Sequence, residues 1–296
     1  MYQNIDIICN PSSGKQKFQD NIKDIKELLE KDGSKVQIFY TEKKHDAKEF
    51  TIRSCKGTTD LIISVGGDGT LNEVINGLMA SKRQVPLAIY PTGTVNDFAT
   101  FFDISTKIYN FYEMIRNKQE KLVDVGRAND HFFINVAAGG AITEVAHKAS
   151  SESKTILGRM AYILEGAKDF PNQIFKPTKV RLTINEEIKE MEVLFLLISN
   201  TQYVGGFKQL MSRAVTDDGK LDLLIVEKIP VKDFINIFVK AINGSHLSHP
   251  KVYYKKIDRI VIEADPDMEM DIDGEYLGNT PVEISVQNKA VKILIP

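Results

Sequence analysis

The segment Leu61-Ile62-Ile63-Ser64-Val65 followed by Gly66-Gly67-Asp68-Gly69-Thr70 constrains this chain more than any other. Leu71, Val74, Ile75 and Leu78 come next at the spacing of one helix face. The apolar run reads as a buried strand, the glycines as a tight turn and the spaced residues as a helix, which is the first half of a βαβ unit. The turn then falls at a helix N-terminus, where unpaired backbone N–H groups can cradle phosphate. Two common phosphate loops are excluded. The dinucleotide fingerprint needs G-x-G-x-x-G, and a P-loop needs G-x-x-x-x-G-K-[ST], whereas Gly14-Lys15 is followed by Gln16 and Cys9 occupies the first glycine position. On residue types alone, a βα turn capped by Asp68 or Thr70 is the alternative.

The pattern repeats up to about residue 124. Strands are expected at Ile5 to Cys9, Val36 to Tyr40, Leu61 to Val65 and Leu87 to Tyr90, with a helix whose Phe18, Ile22, Ile25 and Leu29 form one apolar stripe. This predicts an α/β domain with a parallel sheet over 1–124. The remainder, 125–296, reads as β-rich: His131 to Ala137, Lys179 to Ile184, Lys189 to Ser199, Leu221 to Val226 and Tyr253 to Glu263 are strand-like. Helices are expected at Gly158 to Phe170 and Val231 to Ile242. The segment 285–296 is free to pair with either domain.

Composition narrows the function classes. With 296 residues, two domains are expected, and 43% hydrophobic residues supply their cores. Lys plus Arg number 38 against 40 Asp plus Glu, so the chain lacks the basic excess of a nucleic-acid binder and must hold an anion locally. Cys9 and Cys55 stand in no paired motif, which suits a reducing compartment. Met1 to Asp6 has no signal-peptide pattern, and the longest apolar stretch, Val193 to Phe207, is interrupted by Asn200, Gln202, Gly205 and Gly206. A spanning helix needs about 20 apolar residues, so a membrane is expected to be touched and not crossed. Cytoplasm is the expected compartment.

Four motifs in order resemble the diacylglycerol kinase catalytic family, in particular its soluble bacterial lipid kinases. They are Asn10-Pro11-Ser12-Ser13-Gly14, Gly66-Gly67-Asp68-Gly69-Thr70-Leu71-Asn72-Glu73, Pro91-Thr92-Gly93-Thr94-Val95-Asn96-Asp97-Phe98 and Asp273-Gly274-Glu275. The Asn72-Glu73 pair favours lipid kinases over the NAD kinases and phosphofructokinases that share the preceding five residues. The resemblance covers essentially the whole chain and implies an NAD kinase-like α/β domain, a β-rich sandwich domain, and ATP-dependent phosphorylation of a lipid hydroxyl in a cleft between them. It also implies that Thr41 and Thr94 offer hydroxyls to the nucleotide. On residue types alone, Thr41 could start a turn and Thr94 could cap a short helix. Lys15 is either a phosphate partner or a solvated helix-start lysine.

Asn10, Thr41, Gly66 and Pro91 all follow predicted parallel strands, the edge at which open α/β sheets bind ligands. The nucleotide candidates are therefore Asn10, Pro11, Ser12, Ser13, Gly14, Thr41, Gly66, Gly67, Asp68, Gly69, Thr70, Leu71, Asn72 and Thr94.

From Glu263 to Glu275 an acid stands at every odd position, which predicts one negative strand face with a turn near Asp273-Gly274. The resemblance places the general base at Glu275. Asp68 and Asp97 join it as catalytic candidates, while Asp124 is either functional or a strand-end turn residue. Val215 to Leu221 reads as an Asp-Gly hairpin connection. The family adds a structural Mg²⁺ there, and by position its ligands are the Asp218 carboxylate and the carbonyls of Val215 and Lys220, a set suited to a hard cation. His246 and His249 lack a third ligand and are expected to be exposed loop residues.

Lipid contacts are least determined. Asn135 to Ala141 and Tyr203 to Phe207 resemble family segments, and Lys251 to Lys256 could meet an anionic membrane or be an ordinary strand. The combined expectation is a kinase acting at the inner face of the cell membrane on a lipid alcohol, with ATP and Mg²⁺, as a possible homodimer. An NAD kinase and a non-catalytic nucleotide- or lipid-binding regulator are the rival readings.

Overall fold

The structure, a computed structural model, describes residues 2–13, 17–141, 143 and 176–296, in two units. Unit 1 is Met1–Val123 with Lys289–Pro296, and unit 2 is Asp124–Asn288. The expected helix at Gly158 to Phe170 lies outside the described residues, as do Gly14 and Lys15.

Unit 1 contains β1 (Asn4–Cys9), α1 (Lys17–Lys31), β2 (Lys35–Tyr40), α2 (Asp46–Lys56), β3 (Leu61–Gly66), α3 (Asp68–Ser81), β4 (Leu87–Pro91), α4 (Asp97–Phe101) and α5 (Ile108–Asn117). The strands are parallel in the order β4-β3-β1-β2. Every residue of β3 and β4 is buried, as expected of central parallel strands covered on both faces. Ile22, Ile25 and Leu29 bury the inner stripe of α1, which packs on α5. Ile293 lies beside Leu87 in parallel, so the returning segment 289–296 extends this sheet.

α2 and α3 approach closely because Gly77 has no side chain. A Cβ there would lie 2.5 Å from the Thr51 Cβ and 2.8 Å from the Lys48 carbonyl oxygen.

Unit 2 holds β5 (Glu120–Ala128), which enters it from unit 1, then β6 (His131–Phe133), β7 (Val136–Gly140), β8 (Thr178–Ile184), β9 (Glu187–Ser199), β10 (Leu221–Glu227) and α6 (Val231–Ala241). A 3-10 turn at Ser245–Ser248 leads to β11 (Val252–Ile257), β12 (Arg259–Asp265), β13 (Glu269–Ile272), β14 (Glu275–Asn279) and β15 (Val282–Leu294). Antiparallel pairing runs β14-β13-β7-β9-β8-β12, β10 joins β9 and β11, and the first half of β15 lies along β12. β10 shows how both faces are filled: Leu224 and Val226 enter one apolar core, Leu221, Leu223 and Ile225 another. That two-sided burial explains the unbroken apolar run from Val193 to Ile198 in β9.

Three expected strands are divided. His131 to Ala137 splits into β6 and β7 because the N–H groups of Ile134 and Asn135 bond to the Asp273 carboxylate at 2.9 and 3.0 Å. Tyr253 to Glu263 breaks at Asp258, where the chain passes from its β10 partner to β8. The acidic run is not one strand face. It ends in β12 before Pro266, resumes in β13, and turns at Asp273 and Gly274, whose φ angles of 48° and 84° are left-handed. The Asp217-Asp218-Gly219 turn leads into β10 from a non-strand segment, so it is not a hairpin connection.

Gly77→Ala would force a methyl group into the α2–α3 contact. Overpacking of this kind costs about 1–3 kcal/mol, and we expect a lowered urea midpoint with an unchanged m value.

Candidate active site

The nucleotide candidates of unit 1 are tied together through main-chain groups. The N–H of Asn10 donates to the Val65 carbonyl at 2.9 Å, that of Thr41 to Cys9 at 2.9 Å, and that of Thr92 to Gly66 at 2.9 Å. Each bond extends strand pairing one step past the sheet, so the loops after β1, β2, β3 and β4 leave it at one edge.

Side chains fasten the same loops. Asn10 Nδ2 donates to Thr70 Oγ1 at 3.3 Å, and the Ser13 and Thr92 hydroxyls lie 2.9 Å apart. Asn10 Oδ1 also accepts from the Ser12 N–H at 3.0 Å and hydroxyl at 2.7 Å, shaping the turn that carries Pro11. Asp68 Oδ2 accepts the Asn96 N–H at 2.9 Å, tying the glycine loop to the loop that bears Thr94 and Asp97.

The glycines here are steric requirements. A side chain on Gly66 would collide with Thr70, and one on Gly93 would lie 2.6 Å from the Gly67 Cα. Gly67 is the N-cap of α3 and Asn96 that of α4, so Asp68, Thr70 and Thr94 are not the caps that residue types alone allowed. A Cβ on Gly69 would meet only open space, and Leu71 is buried beneath the loop as the helix begins. Thr94 is exposed, whereas Thr41, Asn72 and Asp97 are half-buried.

Three contributors were not read from the sequence in their structural roles. Thr92 is buried and holds Ser13. Asn96 has a left-handed φ of 52°, a conformation asparagine tolerates, and its side chain accepts from Gly93 N–H at 3.1 Å and donates to Gly93 carbonyl at 2.7 Å. Glu73 receives the N–H groups of His45 at 2.9 Å and Ala47 at 3.1 Å, fixing the start of α2. Asp46 closes the same loop from the other side by accepting from the N–H groups of Glu42 and Lys43 at 2.8 and 3.0 Å. Those donors hold its carboxyl below the ordinary value.

In unit 2, Glu275 is exposed at the first position of β14, opposite Ile272 of β13. The turn before it is fixed by Asp273, whose Oδ1 accepts from Asn135 and Val136 N–H at 3.0 and 2.9 Å and whose Oδ2 accepts from Ile134 N–H at 2.9 Å. The Asp273 N–H returns a bond to the Val136 carbonyl at 2.8 Å. Asp273 is thus a structural anchor.

Asp124 is fully buried inside β5 and is not a strand-end turn residue. Its N–H donates to Thr216 carbonyl at 2.6 Å, and its Oδ2 accepts from Gly219 N–H at 2.7 Å, so it shapes the turn carrying Asp218. Asp218 Oδ1 accepts from Lys220 N–H at 3.0 Å and Oδ2 pairs with Lys256 Nζ at 2.5 Å. The oxygens of Val215, Asp218 and Lys220 suit a hard cation in type, but the carboxylate already balances an ammonium. Among the described residues no group of three His, Cys, Asp or Glu could hold a metal ion. His246 is buried with Nε2 2.9 Å from the Leu210 carbonyl, contrary to the exposed placement expected of it, and burial lowers its pKa. Gly205 and Gly206, with φ of 58° and 92°, form a turn between the bridged residues Val204 and Phe207. No helix among the described residues is long and apolar enough to cross a membrane.

A glycine-loop α/β unit and a β-rich sandwich unit define a class of two-domain kinases, and comparison with known proteins specifies it. The family model for the diacylglycerol kinase catalytic domain matches residues 4–128, and that for the YegS C-terminal NAD kinase beta sandwich-like domain matches 135–295. The diacylglycerol kinase of Staphylococcus saprophyticus is 37% identical over 98% of this chain and 94% of its own length. That of Staphylococcus epidermidis is 37% identical over 98% and 91%. A crystal structure of a candidate diacylglycerol kinase from Bacillus anthracis covers 100% of this chain and 97% of its own, with a TM-score of 0.87 at 27% identity. The chain belongs to the diacylglycerol kinase family.

Two outcomes test the geometry. Asp273→Ala leaves three N–H groups without their acceptor, and we expect a loss of about 1–3 kcal/mol in denaturant unfolding. Asp46 stabilises the fold fully above its unfolded pKa of roughly 3.9 and loses that contribution as pH falls through its lower folded value. Asp46→Asn should therefore flatten the acid limb of a Tm-against-pH curve.

Proposed function

We propose that this protein is an ATP-dependent lipid kinase that transfers the γ-phosphoryl group to the hydroxyl of diacylglycerol, giving phosphatidate. The convergence of four strand-end loops on the Gly66–Thr70 turn carries the reading, because it offers backbone N–H groups and hydroxyls to a triphosphate at the ligand-binding edge of an α/β sheet. Family membership over nearly the whole chain supports the acceptor class.

In this reading the loops bearing Asn10 to Ser13, Thr41, Gly66 to Asn72 and Thr94 bind the nucleotide, with Gly14 completing the first motif. Asp68 ties the glycine loop to its neighbour, and Asp68 and Asp97 are the carboxylates that act with Glu275. Glu275 accepts the acceptor hydroxyl's proton as that oxygen bonds to the γ-phosphorus and the bond to the departing ADP oxygen breaks. Magnesium accompanies ATP and supplies charge neutralisation to the phosphates. A structural divalent cation at Val215, Asp218 and Lys220 would take over the charge balance that Lys256 now provides. The protein works in the cytoplasm, touching the inner face of the membrane where its lipid alcohol resides.

The test is transfer of labelled γ-phosphate from Mg·ATP into extractable lipid, using mixed micelles of diacylglycerol or a sphingoid base, with NAD as the soluble control. Label in phosphatidate is the expected result. Label in another lipid replaces the acceptor, label only in NADP overturns the reading, and ATP binding without transfer favours a regulator. In the same assay Glu275→Gln should lose at least ~10²-fold in turnover while keeping its unfolding midpoint, the usual scale for removing a general base. Near-normal turnover would take Glu275 out of that role.

A further inference from the structure

α6 is apolar around more of its circumference than its contact with the core uses. Phe234, Ile237 and Ala241 are buried, with Phe234 edge-on to Phe195 at 6.4 Å between ring centroids. Phe238, half-buried, meets Phe207 edge-on at 5.7 Å. Beyond Phe238 the helix continues with Ile235, Val239 and, just past its last turn, Ile242, exposed by 45%, 58% and 65%. At about 100° per residue these three share an arc of about 60°, and with the buried set the apolar sector reaches about 200°, twice what a core-facing stripe requires.

The polar border of this exposed stripe carries a lysine. Lys232 adjoins the stripe, about 20° past Val239, whereas Lys240 lies about 80° further round beside Asp233, and neither lysine is in an ion pair among the described residues. The only acid of the helix, Asp233, lies at the far edge of the polar sector, next to the core. An apolar stripe edged by the Lys232 ammonium matches the interface of an anionic bilayer, where side chains enter the acyl boundary and lysines meet phosphate headgroups.

We propose that the Ile235–Val239–Ile242 face of α6, with Lys232, seats this protein on an anionic membrane surface. The assignment rests on the lipid kinase reading, because that reading brings a bilayer to the protein.

Cosedimentation of the full chain with phosphatidylcholine vesicles, with and without phosphatidylglycerol, tests it. We expect the triple variant Ile235→Glu/Val239→Glu/Ile242→Glu to bind vesicles at least ~10-fold more weakly than wild type. The serine triple, which adds no charge, should also lose several-fold. Lys232→Glu should lose much of the gain conferred by phosphatidylglycerol, together with its sensitivity to salt. All three variants should keep the wild-type unfolding midpoint and the wild-type turnover on short-chain diacylglycerol dispersed without vesicles. Unchanged vesicle binding in both triple variants overturns the proposal, as does a wild-type protein that does not bind vesicles. A dimer in sedimentation velocity that the triple variants dissociate, with vesicle binding intact, assigns the face to a second copy and overturns it as well. If wild type phosphorylates no lipid yet its vesicle binding still depends on these side chains, the kinase reading fails and the docking surface stands.

Discussion

A parallel sheet ends in main-chain groups that have lost their partners, and the α/β unit satisfies these with its own loops. The bonds from Asn10 to Val65, Thr41 to Cys9 and Thr92 to Gly66 extend pairing one residue beyond the strands. They draw the four loops to one edge before any side chain acts. The side-chain bonds of Asn10, Ser13 and Asp68 then hold a surface that the sheet has already assembled. Close approach of Gly67 to Gly93 is possible only without a Cβ, so these glycines let neighbouring loops touch.

Much of this was legible from residue patterns. The strand–turn–helix at Leu61 to Leu78, the four parallel strands and the amphipathic stripe of α1 follow from periodicity, and the structure matches them within a residue or two at their ends. Strand divisions were harder, because they depend on distant partners. Nothing between His131 and Ala137 signals a break, since the break comes from a carboxylate more than 130 positions later in the chain. The same limit hid the role of Asp124: an acid beside a strand resembles a turn residue until the N–H of Gly219 is seen against it. His246 was misread because a histidine between serines and glycine has the composition of a loop, while the Leu210 carbonyl that receives it is invisible in sequence. Glu73 was noticed as a family marker, and its hold on the start of α2 shows why that position needs a carboxylate with two oxygens.

Unit 2 follows a different economy of burial. The second half of β9 and most of β10 are apolar on both faces and feed two separate cores. Polar contacts gather at turns such as the one at Asp273 and Gly274. Asp273 serves there as an acceptor for three backbone donors, which frees the neighbouring Glu275 to stand exposed at the start of β14.

The α/β unit is discontinuous in sequence, since residues 289–296 return to it and Ile293 lies beside Leu87. A nascent chain would therefore expose the outer edge of β4 throughout synthesis of residues 124–288. That edge is apolar along its whole length, with every residue from Leu87 to Pro91 buried in the finished fold. An open strand edge of the first unit is thus the last to be covered, and folding of that unit is tied to a contact about 200 residues distant in the chain.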